Sequence, residues 1–300
     1  MTEKRVVHVL TTVKGGAGKT ETTDMLEAVL TLTGHRCTLV DVDDGNRGLA
    51  RRVGVDNVVK LDWTSGIEDA PGWVAQYGSD SAHHLLFDLG AGISSSDTPV
   101  MAFLQTVWRM LHNEGARIIF YCIVSTNAPT SRFVERMVST YGKIGTILIV
   151  HNDQDGSRAF PADIANRAEP QIDLRHQAPG IQEVRLRHRA RLSAVIANPL
   201  PGYRLATALM ATRVHAFARQ LAAVSIIDPA SLAALDGGSP PVPRLMYSTR
   251  RSSDATDERI LCNGKLHDAH HALLANGLSD SELLTAAKAY RAACASWQSR

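Results

Sequence analysis

The stretch Lys14-Gly15-Gly16-Ala17-Gly18-Lys19-Thr20 combines two lysines, three glycines and a terminal threonine within seven residues. That composition suits phosphate. Glycines let several backbone N–H groups converge on one anion, and a nest of that kind is completed by a lysine reaching the outer phosphates and a hydroxyl able to ligate Mg²⁺. Lys19 and Thr20 fit those two tasks. Two acidic segments follow, each at the end of an apolar run: Asp41-Val42-Asp43 and Leu85-Leu86-Phe87-Asp88. A carboxylate at the C-terminal end of a parallel strand lies beside the ligand crevice, where it can hold a metal ion or a water. The plainer reading of each acid is a turn cap.

These residues need a scaffold that brings three strand ends together. Val6 to Leu10 is predicted to be a buried strand, and Thr20 to Thr33 a helix stopped at Gly34, so the glycine loop joins strand to helix. Cys37 to Val42, Leu85 to Leu89, Ile118 to Val124 and Thr146 to Val150 are further short apolar runs, with room for a helix between them. Continuous apolarity is expected where a parallel sheet is covered on both faces. Val100 to His112 and Ser131 to Tyr141 have helical spacing, which completes a βαβ pattern. The fold class is therefore α/β, with a doubly wound, mostly parallel sheet.

The loop, the strand–loop–helix context and the acids resemble the ParA/MinD family of P-loop ATPases, whose deviant Walker A motif reads KGGxGK[ST]. The resemblance covers roughly residues 5 to 225. It implies a nucleotide site built from Gly15, Gly16, Ala17, Gly18, Lys19, Thr20 and Glu21, with ATP and Mg²⁺ as cofactors. Lys14 is then the signature lysine, acting catalytically with Lys19 by reaching across an ATP-bound homodimer to the partner's phosphates. By the same resemblance Asp43 orients the hydrolytic water, Thr20 and Asp41 serve the metal region, and Asp88 ends a Walker B strand as an outer-sphere Mg²⁺ partner. Leu89-Gly90-Ala91-Gly92 looks like the family's switch segment, and Asn152 matches an asparagine that contacts adenine.

Two positions depart from that pattern. Glu21 stands where the family has Ser or Thr for the α-phosphate, and a carboxylate there repels phosphate unless it points away. Gly48 stands where the MinD-like version carries asparagine, with Asn46 nearby as a substitute. Both departures imply weakened phosphate binding or slow turnover.

Outside the loop, Val184 to Leu192 alternates Arg185, Arg187, Arg189 and Arg191 with mostly apolar residues. In an extended segment the four guanidinium groups share one face, a row able to neutralise phosphates of non-specific DNA. The alternative is a solvated edge strand whose charges prevent aggregation. The whole chain offers no bulk attraction to polyanions, because 32 Lys and Arg against 30 Asp and Glu leave only +2.

Its longest apolar run, seven residues, is far short of the roughly 20 that span a bilayer. With no secretory signal evident, the expected location is the cytoplasm. The four cysteines are scattered without a CxxC pair, so neither zinc nor a local redox pair is expected. Cys37 and Cys122 are predicted to be buried thiols. His83-His84 and His270-His271 lack further ligands at metal spacing.

Tyr203 to Val224 is predicted to be the long helix closing an ATPase domain at 1–230. Residues 231–258, rich in Gly, Pro and Ser, form a linker, and 259–300 a helical extension. Within that extension Leu283 to Trp297 is Ala-rich and poor in cations, so it suits packing on the ATPase domain or a partner better than a membrane surface. The sequence thus predicts an ATP-dependent, dimerising ATPase, slow and stimulated by a protein partner, that positions or segregates DNA, as in plasmid partition, or another large cargo. A nucleotide-dependent adaptor with negligible turnover, serving conjugative transfer or assembly of a surface apparatus, is the alternative. A cluster-carrying electron-transfer ATPase would need paired cysteines.

Overall fold

The unbroken apolar runs pair side by side because neither face of each strand meets water. The computed structural model describes residues 5–237, leaving out 43–46, 62–65, 79–82, 92, 94–97, 127–130, 177–188 and 200–202, with only the backbone described at 204, 205, 236 and 237. Seven strands form one sheet: β1 (Val6–Thr11), β2 (Arg36–Val42), β3 (Val58–Lys60), β4 (His83–Leu89), β5 (Arg117–Ser125), β6 (Thr146–Asn152) and β7 (Gln171–Leu174). Their order is β3-β2-β4-β1-β5-β6-β7, and every pairing is parallel. The chain leaves central β1 toward one edge and returns past it from β4 to β5. Its topological switch point therefore lies at the C-terminal end of β1, where such sheets bind ligands.

Alternation along the strands feeds two cores. Val7, Val9, Leu85, Phe87, Phe120 and Cys122 face one side, whereas Leu10, Leu86, Ile119 and Tyr121 face the other. The first side is covered by α3 (Ala70–Tyr77), α4 (Pro99–Asn113) and α5 (Ser131–Tyr141). Its centre is the fully buried Trp108, which meets Phe87, Phe120 and Tyr141 edge-on at centroid distances of 6.1, 5.3 and 5.8 Å. Edge-to-face geometry sets the positive rim of one ring against the negative face of the next. The second side carries α1 (Lys19–Leu32), then α7 (Leu192–Ala197) and α8 (Arg204–Ala223); the short α2 (Gly48–Val53) and α6 (Ala162–Ala165) lie in the connections.

Helix α1 is packed between the sheet and α7 and α8, so its polar residues are buried along with its apolar ones. Thr22 and Thr23 solve this locally, their hydroxyls donating to the carbonyls of Gly18 and Lys19 at 2.9 and 3.1 Å. Glu27 accepts from the Ser193 hydroxyl at 2.6 Å and its amide at 3.2 Å, although burial still raises its pKa. Asp24 pairs with Arg52 at 3.2 Å. An α1 buried on all sides is what a doubly wound sheet demands of the helix that follows its central strand.

The sheet is the parallel, doubly wound one expected. Sequence periodicity did not reveal β3, β7 or α3, whose three, four and eight residues are too short to display a period. Beyond Ala223 the chain continues through a 3₁₀ turn at Pro229–Ser231 into α9 (Leu232–Gly237), with Leu235 buried, so the expected linker at 231–258 starts in helix. The rest of that linker and the extension at 259–300 lie outside the described residues. Among the described residues no helix is long and apolar enough to cross a membrane.

Candidate functional site

At the end of β1 the chain must turn sharply enough to present its amides. Thr12 anchors the departure by donating to the Ile123 carbonyl of β5 at 3.0 Å. Gly16 and Gly18 then take φ of 76° and 97°, the left-handed region that strains any residue with a Cβ, and Gly18 caps α1. Lys14 is exposed on this loop, and Lys19 is buried at the first turn of α1. The free amides at the start of α1 therefore open onto the loop, where an anion is favoured by the helix dipole.

Two further residues hold the loop from below, and neither task was foreseen from sequence. Asn152, at the end of β6, donates from Nδ2 to the Ala17 carbonyl at 2.7 Å, and Gln154 donates to the Gly16 carbonyl. A Cβ on Gly18 would lie 1.9 Å from that same Nδ2. That brace uses one N–H of an amide that carries two donors and an acceptor, and the sequence signal for the brace was only an Asn closing an apolar run.

Asp41 and Asp88 end neighbouring strands as register partners, both buried. Asp41 accepts from the Ala50 amide at 2.9 Å. The Thr20 hydroxyl donates to Asp88 Oδ2 at 2.9 Å, which brings the loop's threonine, Asp41 and Asp88 into one place. Burial pushes the Asp88 carboxyl up to about 7; the Lys19 charge pulls it down and Asp41 pushes it further up. Asp88 Oδ1 is shut off from solvent and has no hydrogen-bond partner among the described residues.

A buried carboxylate oxygen without a donor, beside a hydroxyl and a second carboxylate, fits a hard cation that takes oxygen ligands. No group of three or more His, Cys, Asp or Glu suited to a metal occurs among the described residues, so protein side chains would supply only part of the shell. That is how Mg²⁺ is usually held beside phosphates. Thr20, Asp41 and Asp88 would hold it here. Gly48 opens α2 next to them, for a Cβ there would sit 3.3 Å from the Thr20 hydroxyl. Ala91 of the segment after β4 faces the loop, its Cβ 4.0 Å from where one on Gly15 would lie. Asp43 and Gly92 lie outside the described residues.

Glu21 does not point at the loop. Its carboxylate is ion-paired with Arg213 of α8, which is the turned-away case for an acid at that position. The arginine row is corrected at its described end, Arg189 to Arg191. Arg189 has φ of 45°, which breaks the extended period, and Leu192 already begins α7. Arg191 turns inward and donates to the carbonyls of Cys37 and Asn57 at 3.4 and 3.2 Å, which takes it out of a phosphate-facing row. Arg189 is exposed, and Arg185 and Arg187 lie outside the described residues. Cys37 and Cys122 are buried free thiols, as expected.

The strand order, the glycine loop after β1 and the buried aspartate ending β4 define a P-loop NTPase fold. No protein-family model and no curated protein matches the sequence. Solved structures do match. The septum site-determining protein MinD from Pyrococcus horikoshii OT3, complexed with Mg-ADP, matches with a TM-score of 0.51 and 16% identity over 76% of this chain and 98% of that one. The MinC:MinD cell division complex of Aquifex aeolicus matches at 0.48 and 15%, covering 75% of this chain and 98% of that chain. A ParA family ATPase from Chlorobium tepidum TLS matches at 0.47 and 14%, covering 67% and 94%. The fold is that of the ParA/MinD-like P-loop ATPases.

Proposed function

We propose that this protein binds and hydrolyses Mg-ATP and uses the cycle of binding and hydrolysis to dimerise and release. The observation that carries this reading is the juxtaposition of Lys19, the Thr20 hydroxyl and the unpartnered Asp88 oxygen at the mouth of a left-handed glycine loop. The Mg-ADP in the MinD neighbour supports it. In this chain the loop amides and the Lys19 ammonium offset phosphate charge, while Thr20, Asp41 and Asp88 orient the metal side of the site. Mg²⁺, when bound, neutralises charge on the phosphate oxygens. Asp43 positions water, and exposed Lys14 serves a partner subunit's phosphates. The work done is the positioning or segregation of DNA or another large cargo, with a protein partner stimulating turnover.

Calorimetry with Mg-ATP tests the site, and light scattering tests the cycle. Asp43→Ala should bind ATP without hydrolysing it and accumulate as a dimer, and adding Lys14→Ala should return it to monomer. A dimer that persists in the double variant would refute the two-subunit site. The adaptor reading keeps one observation in its favour: Gly48 offers no side chain beside Thr20. It predicts tight nucleotide binding with no phosphate release even when the physiological partner is added.

A further inference from the structure

Glu21 is the one acidic side chain in the first turn of α1, one residue beyond Thr20 and two beyond Lys19. An acid there favours the empty helix through the dipole, but it opposes a polyphosphate that must occupy the same positive end. The structure meets this conflict with a residue 192 positions further along the chain. Arg213 of α8 pairs with the Glu21 carboxylate through Nη1, while its Nε donates to the Arg175 carbonyl, just past β7, at 3.1 Å and its Nη2 donates to the same carbonyl. The fork is held at both ends, and each side chain retains only 15% exposure. One turn further along α1, Arg52 answers Asp24 in the same way, and these four charges line one hollow with Met25, Leu192 and Met210.

We infer that Arg213 is a positioning residue for nucleotide binding, which neutralises Glu21 and draws it away from the phosphates. The inference rests on the nucleotide-binding reading above and deepens it. The guanidinium need not touch phosphate, since its work is done on the carboxylate. Because one α8 side chain spans the start of α1 and the backbone after β7, it also ties two sides of the nucleotide crevice together.

On this reading Arg213 is necessary only while residue 21 is charged. Affinity for Mg-ATP and Mg-ADP would be measured by calorimetry for the full chain and for Arg213→Ala, Glu21→Gln and the double variant, across a salt series. Arg213→Ala should weaken binding about tenfold at low salt, because it leaves a partly buried carboxylate unpaired beside the phosphates. That loss should shrink as salt screens the repulsion. Glu21→Gln should bind roughly threefold more tightly than the unmodified chain, and the double variant should recover to near that chain's affinity.

A double variant as weak as Arg213→Ala, or a Glu21→Gln protein that loses affinity, would overturn the inference and leave the pair as a packing contact. Should Arg213→Ala fail to fold, Glu21→Gln alone decides between the two. Failure of the unmodified chain to bind Mg-ATP at all would remove the nucleotide reading and this inference with it. Binding by that chain with an unchanged Arg213→Ala would remove the inference alone.

Discussion

The α1 side of the sheet buries polar groups at both of its ends, and the two ends resolve the cost differently. Toward the start of the strands His8, His84 and Tyr121 form a chain, with Tyr121 Oη to His8 Nδ1 and His8 Nε2 to His84 Nδ1 both at 2.9 Å. His35 stacks edge-on against His84 at a centroid distance of 4.9 Å. Neutral imidazole has one donor and one acceptor, so three neutral groups can satisfy one another without water. Burial enforces that neutrality, holding His84 down at about 3 and His8 well below the usual histidine range.

At the other end, Asp41, Asp88 and Lys19 are buried, with Asp88 Oδ1 unpartnered among the described residues. An unpaired buried atom is not by itself a site, for the indole nitrogens of Trp73 and Trp108 also lack partners among the described residues. Those are neutral groups in an aromatic cluster. What marks the loop end is an ionisable acid left incomplete in company with a second acid, a hydroxyl and a glycine nest. The contrast separates polar groups that satisfy one another within the fold from polar groups that the fold leaves incomplete among the described residues.

The largest effect should come from the loop end. Lys19→Ala should lose Mg-ATP affinity by about a hundredfold or more, since a desolvated charge facing phosphate has no substitute. Its folding stability should change little by comparison. A calorimetric affinity within a few-fold of the unmodified protein would break the comparison, because the loop would then be holding no phosphate.

The histidine end should show in acid stability instead of binding. Both histidines titrate below their unfolded value of 6.5, so below that pH the unfolded chain takes up protons that the folded chain refuses. Their contribution is fully present above 6.5 and is lost as pH falls toward 3, at about 1.4 kcal/mol per pH unit for His84 alone. Glu27 and Asp88, both raised, contribute with the opposite sign. Urea unfolding at several pH values should therefore give a shallower acid slope for a His8→Leu, His84→Leu double variant than for the unmodified protein. Equal slopes would mean the chain is not held neutral.

These two ends were unequally legible in the sequence. Lys14 to Thr20, Asp41 and Asp88 declared themselves because phosphate chemistry constrains neighbouring residue types, and because short, largely apolar segments lead into both acids. His8, His84 and Tyr121 carry no such signature. They meet only after β4 and β5 have paired with β1, at separations of 76 and 113 residues. Glu21 was flagged as a misfit, but its remedy lay 192 residues away on α8. Long-range partners of that kind are set by tertiary packing, to which local spacing is blind.

On the loop side Asn152 is a polar group with one of its two N–H donors already engaged. Asn152→Ala would leave the Ala17 carbonyl without its 2.7 Å partner in a buried place. The expected loss is about 1–3 kcal/mol of stability, with weaker Mg-ATP binding from a less ordered loop. Denaturant unfolding separates the two consequences. An unaltered stability coupled to lost adenine selectivity would assign the amide to the base and not to the loop.

The smallest effect concerns the arginines, to which the same criterion applies. Arg191 spends two of its donors on the carbonyls of Cys37 and Asn57, whereas Arg189 is exposed. Should the segment bind duplex DNA, only Arg185, Arg187 and Arg189 remain to face phosphate, and the fall of log affinity with log salt should not exceed about 2.7, at roughly 0.9 per contact. Replacing Arg187 should lower that slope by about 0.9, equally on unrelated sequences, because phosphate contacts carry no base information. Replacing Arg191 should leave the slope alone and lower thermal stability, since it removes a tie from the segment before α7 to β2. Anisotropy of random-sequence duplex across a salt series, with Asp43→Ala and ATP to hold the dimer, reads both. A slope that falls with Arg191→Ala would mean the side chain swings outward to meet DNA, and no binding at low salt would leave the exposed arginines as a solvated surface and the cargo as protein.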